Sequence, residues 1–167
     1  CDDVTDLEGL ARDAIAECYA NTGQLCVARS KIIIPHALAG DLTDALVAAA
    51  KALGPGDARD VATQYGPLSS LKHAQDVAAA IENGSTQARL VSDGRSDDPL
   101  FQSMSLLKVN DAGSDLLRDE YFGPVLTIAC YDKIEDGIAM ANVGGYGLAA
   151  TLWTTQISRA NALSKQI

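Results

Sequence analysis

Cys26 stands where a nucleophile could be mounted. It follows Asn21-Thr22-Gly23-Gln24-Leu25, where a helical pattern ends, and precedes a short β-branched run closed by Pro35. A side chain there projects from a sheet edge while the strand fixes its backbone. Gly23, having no Cβ, lets the chain pass close to a ligand. The competing reading is strong, because free cysteine is among the most buried residue types and usually acts as a small hydrophobe. The other three cysteines, Cys1, Cys18 and Cys130, add neither a C-x-x-C pair nor a dense disulfide spacing, so all four read as reduced thiols. No spacing suggests a metal site. His36, after Pro35, and His73, in a Ser-capped helix, read as surface or structural histidines. No local signature supports a cysteine hydrolase pairing either of them with Cys26.

The elements that must position Cys26 follow from periodicity. Thr5-Asp6-Leu7-Glu8 fits a capping box with Thr5 as the cap. Leu7, Leu10, Ala11, Ala14, Ile15 and Cys18 then recur at helical spacing to about Ala20. Residues 27–34 predict a strand, and Asp41 caps a helix that stops at Gly54-Pro55-Gly56. Ser69 or Ser70 caps a further helix stopping at Asn83-Gly84. Strands are expected at 88–91, 105–109, 125–131 and 148–153. A Gly- and Asp-rich loop spans 92–99, a short helix spans 134–142, and a last helix begins near Thr155. Alternating helices and strands predict an α/β sheet layered by helices.

The 167 residues are about one domain's worth, with no internal repeat or linker. Thirteen Lys and Arg against 22 Asp and Glu give a net charge of −9. That sign repels phosphate backbones and anionic lipid heads, so neither nucleic acid nor a membrane surface is expected as a partner. No apolar run approaches the ~20 residues of a bilayer span.

Two segments carry a specific resemblance. Asn21-Thr22-Gly23-Gln24-Leu25-Cys26, followed by Val27-Ala28-Arg29-Ser30, resembles the catalytic-cysteine segment of the aldehyde dehydrogenase superfamily. Glu120-Tyr121-Phe122-Gly123-Pro124-Val125 is similar to that family's E-x-F-G-P-V segment. Two weaker matches keep the family's order: Gly56-Asp57 through Thr63 to Gly66-Pro67-Leu68, and Ala141-Asn142 through Tyr146-Gly147-Leu148-Ala149-Ala150.

The resemblance implies an open three-layer α/β sheet with helices on both faces, of the aldehyde dehydrogenase catalytic-domain type. It implies that residues 1–167 form the catalytic, thiol-bearing domain, truncated at both ends, with the cofactor-binding domain absent. It further implies NAD(P)-dependent oxidation of a small-molecule aldehyde to a carboxylic acid through a thiohemiacetal and thioester. Cys26 would be the nucleophile, its own backbone N–H helping to hold the developing oxyanion. Glu120 would accept from the hydroxyls of the nicotinamide ribose of NAD or NADP, and Phe122 would pack beside the nicotinamide. The family's general-base glutamate, in a Glu-Leu-Gly-Gly-Lys-like segment, is expected upstream, so this segment alone is expected to be inactive. A cytoplasmic location and a homo-oligomeric full-length protein complete the expectation. Two alternatives stay open: a dehydrogenase that passes the acyl group to coenzyme A, and a catalytically silent interaction domain.

Overall fold

The computed structural model describes residues 3–54, 56–92, 98–102, 104–109 and 113–167, with the backbone only for 85–92. Cys1, Pro55 and most of the loop expected at 92–99 lie outside the described residues.

The chain opens with helix α1, Leu7–Tyr19, capped by the Asp6 carboxylate, which accepts from the Gly9 N–H at 2.8 Å. The cap is therefore Asp6 and not Thr5, since its oxygens reach the third amide beyond it. Strand β1 is Lys31–Pro35, and a 3₁₀ turn at His36–Leu38 leads into α2, Ala39–Lys51. Asp41 falls inside the first turn of α2 instead of capping it, its carboxylate still at the positive end of the helix. Helix α3 spans Leu71–Gln87, β2 Ala88–Ser92, β3 Ser105–Val109, the single-turn α4 Asp115–Arg118, β4 Val125–Tyr131, α5 Ile134–Ala141 and α6 Ile157–Leu163.

The four strands order β1-β4-β3-β2, with β1 and β3 parallel to β4 and β2 antiparallel at the edge. β4 is a run of apolar and small residues because a parallel central strand is buried on both faces. Its alternation divides the core. Leu126 and Ile128 join Ile34 and Leu106 under Leu10, Ile15 and Cys18 of α1 and Leu42 and Leu46 of α2. Val125 and Ala129 join Leu107 and Val109 against Ala74, Val77 and Ile81 of α3 and Leu116 and Leu117 of α4. Helices thus cover both faces, giving the expected three layers.

Several sequence expectations are corrected. β1 begins at Lys31, four residues after the expected start, because residues 25–27 form a turn, closed by Ala28 N–H on Leu25 O, where the strand was expected to begin. α3 runs through Asn83-Gly84: Gly84 faces the sheet, where a Cβ would sit 2.8 Å from Leu107 Cδ1, so the glycine allows close packing and does not end the helix. Residues 148–153 form no strand, since no described strand lies beside them to complete a ladder. α4 and the 3₁₀ turn at His36–Leu38, each a single turn, give too short a period to be read from sequence.

Candidate active site

Beyond α1 the chain turns sharply. Asn21, Thr22 and Gly23 all take left-handed conformations, with φ of +52°, +60° and +73°. A β-branched residue rarely does so, and such strain persists only where its surroundings enforce it. Here they do. Thr22 is buried, and its Oγ1 donates to the Gly66 carbonyl at 3.0 Å. Gln24 and Asn21 close the loop reciprocally, each side-chain amide donating to the other's carbonyl at 3.2 Å. Gln24 Oε1 also accepts from the Ser69 N–H at 2.9 Å, fastening the loop to the chain entering α3. Arg29 reaches back to Glu17 of α1 at 3.4 Å.

Cys26 lies exposed in the turn that follows, where Ala28 N–H donates to Leu25 O at 3.1 Å. Its own N–H makes no hydrogen bond among the described residues. The other described cysteines sit differently. Cys18 is fully buried with Sγ 3.8 Å from Val125 O, and burial pushes its thiol up to about 12. Burial also raises the half-buried Cys130.

The second motif meets this loop backbone to backbone. A Cβ on Gly23 would collide with the Gly123 carbonyl and lie 3.1 Å from Pro124 N, so only glycine permits the approach. Phe122, just before, is the third non-glycine residue with a left-handed φ, +47°, and its side chain is 40% exposed. Among the described residues, every non-glycine left-handed conformation therefore falls on the two loops that touch at Gly23 and Gly123. Pro124 O accepts from Ser105 N–H at 2.9 Å, anchoring the motif at the start of β3 and β4.

Glu120 is exposed. The nearby Lys31 ammonium, at the head of β1, lies 5.9 Å from the Tyr146 ring centroid. Burial lowers its pKa, and the Asp119 and Glu120 carboxylates pull it partly back. Tyr121 is half-buried, and burial, then Asp119 and Asp115, pushes its phenol up to about 12. A groove lined by Asp76, Asn83, Asp115, Asp119 and Tyr121 lies alongside and includes none of Cys26, Glu120 and Phe122. Among the described residues no cluster of three metal-ligating side chains occurs.

The structure thus brings parts of three matched segments together, the cysteine loop, Gly66 and Gly123, while in the fourth Tyr146 lies beside Lys31 at the head of β1. Two side chains that sequence reasoning left aside belong here. Lys31 gives no pattern on its own. His73 reads as a structural histidine, yet its ring is 2.9 Å from Phe122 O. No local signal marks it, because the contact joins residues 49 apart in the chain.

This architecture defines an α/β domain whose thiol loop is locked against a second glycine-bearing loop. The chain belongs to the aldehyde dehydrogenase family, whose defining pattern matches residues 1–167. It is 33% identical over 165 residues to the geranial dehydrogenase of Castellaniella defragrans, covering 97% of this chain and 34% of that protein. It is 31% identical over 166 residues to the NADP/NAD-dependent aldehyde dehydrogenase PuuC of Escherichia coli, covering 99% of this chain and 34% of that protein. Among solved structures, a Mycobacterium tuberculosis aldehyde dehydrogenase complexed with NAD+ superposes with a TM-score of 0.93 at 34% identity. That match covers 100% of this chain and 35% of the other. The chain spans about a third of the length of the curated relatives it matches. Among the described residues no helix is long and apolar enough to cross a membrane.

Proposed function

We propose that these residues supply the thiol-bearing part of an enzyme that oxidises an aldehyde to a carboxylic acid with NAD or NADP. The supporting observation is the meeting of the cysteine loop with Gly66 and Gly123, with every described non-glycine left-handed residue on the two loops that touch there. Cys26 is the nucleophile. Its thiolate adds to the aldehyde carbon, forming a C–S bond while the carbonyl π pair moves to oxygen. The Cys26 N–H, which has no hydrogen-bond partner among the described residues, is available to hold that oxyanion. NAD or NADP, beside Glu120 and Phe122, would supply the hydride acceptor needed to convert this adduct to a thioester. Water then adds to the acyl carbon and the C–S bond breaks, releasing the acid and regenerating the thiol.

Glu120 and Phe122 fit the cofactor in kind. An exposed carboxylate is acceptor-only and suits the two hydroxyls of a ribose. An exposed ring on a fixed backbone suits the face of a nicotinamide. The cofactor is held chiefly by segments outside residues 1–167, so this stretch alone has no appreciable turnover.

The test uses the full-length natural protein. With an aldehyde and NAD+ or NADP+, acid-quenched samples should carry an acyl group on the peptide containing Cys26. Cys26→Ala should lose at least ~10⁴-fold in turnover while retaining cofactor binding. Undiminished oxidation by Cys26→Ala, or an acyl group found on another residue, would overturn the assignment.

A further inference from the structure

Phe122 and Gly123 rest on one face of α3. His73 and Val77 are four residues apart, hence one above the other. Val77 Cγ2 stands 2.7 Å from where a Gly123 Cβ would be, and His73 Nε2 stands 2.9 Å from Phe122 O. A carbonyl oxygen only accepts, so the ring donates from Nε2, as the Nε2–H tautomer and the imidazolium both can. The mount is firm: Ser70 Oγ accepts from the His73 N–H at 3.1 Å, capping the turn that carries the ring. The acceptor belongs to a residue with φ of +47°, a conformation that a bulky side chain leaves unless something outside it holds the backbone.

We infer that His73 is a positioning residue: its Nε2–H bond to Phe122 O holds the left-handed turn that presents Glu120 and Phe122 to the cofactor. This rests on the reading of Glu120 and Phe122 as cofactor contacts. His73 itself need touch neither cofactor nor substrate. Val77 sets the height of the turn by packing, and His73 sets its twist through a directional bond.

The experiment compares His73→Ala, His73→Phe, His73→Gln and Glu120→Gln in the full-length natural protein. Phenylalanine keeps the ring volume without the donor, so it carries the expectation if alanine folds poorly. Glutamine places an amide donor near the position of Nε2. Calorimetric titration with NAD+ should show about three- to tenfold weaker binding for His73→Ala and His73→Phe, the worth of one hydrogen bond. His73→Gln should stay within about twofold of wild type. The cofactor KM should rise in the donorless variants with kcat nearly unchanged. Without cofactor, the peptide spanning 119–125 should exchange its amide hydrogens faster in the donorless variants, with the rate restored in His73→Gln. Unaltered exchange and affinity in His73→Phe would overturn the inference, as would His73→Gln behaving like His73→Phe. A weakened Glu120→Gln beside an unaltered His73→Phe overturns the role of His73 alone. An unaltered Glu120→Gln overturns the reading of the site, and this inference falls with it.

Discussion

Two irregular stretches of this chain are held in opposite ways. Between Tyr19 and Lys31 there is no regular ladder, yet Thr22 is only 2% exposed and the loop is pinned to Gly66, Ser69 and Gly123. Between Val143 and Trp153 the composition is the more strand-like of the two, yet Tyr146 is 61% and Leu148 68% exposed. A Cβ on Gly145 or Gly147 would meet nothing within 4 Å. Backbone order in the first stretch comes from side-chain hydrogen bonds and a close glycine contact, which replace the missing ladder. In the second, β-propensity has no neighbouring strand on which to act. Its firm points are few: Gly144 close to the Arg118 backbone, Lys31 over Tyr146, Thr151 donating to Glu17 at 3.2 Å, and Trp153 packed on the first core.

The contrast is most sharply tested by the same substitution in both places. Gly23→Ala should cost ~2–4 kcal/mol, because the added methyl meets the Gly123 backbone and the φ of +73° disfavours it. Gly145→Ala should change stability by less than ~0.5 kcal/mol. Chemical denaturation of the two variants decides the matter, and equal losses would break the comparison.

An intermediate effect is expected where the second stretch ends. Asp3 accepts from Thr154 Oγ1 at 2.6 Å and from the Thr155 hydroxyl and N–H at 2.8 Å, joining the start of the chain to the entry of α6. The Thr154 hydroxyl first, and then the Thr155 groups against a partial desolvation penalty, hold its carboxyl well below the usual range. The folded state thus binds this proton more weakly than the unfolded chain does. Asp3 therefore stabilises the fold above about pH 4, and its contribution fades as pH falls below that. Melting temperatures followed from neutral to acid pH should decline less steeply in Asp3→Asn than in the parent. An identical acid decline would show that the clasp does not contribute.

The smallest effect is expected at Leu148. Leu148→Ser should stay within ~0.5 kcal/mol of the parent, since a side chain this exposed releases little apolar surface. A loss of 2 kcal/mol or more (roughly the worth of a buried leucine) would show that the segment is packed in solution.

Strands β3 and β4 were legible to the residue, because both are short and mostly apolar and lie between clear breaks. The start of β1 was not. Val27 and Ala28 suit a strand, but they lie before the first rung, Lys31 opposite Thr127. Likewise Asn83-Gly84 reads as a stop in one dimension, whereas in three the glycine is the space that Leu107 occupies. Of the candidate site, Cys26, Glu120 and Phe122 were legible through motif resemblance. Lys31 and His73 were not, because each acts across a contact between segments far apart in the chain.

The amino-acid sequence by itself determined the α/β class, the bounds of β3 and β4, and the motif residues. Each of these follows from local periodicity and residue chemistry, which act along the chain. The tertiary structure alone decided which thiol is exposed, which glycines are contacts and which are stops, and that His73 meets Phe122. Those outcomes depend on excluded volume and hydrogen-bond geometry between segments separated by tens of residues, and no local pattern carries that information.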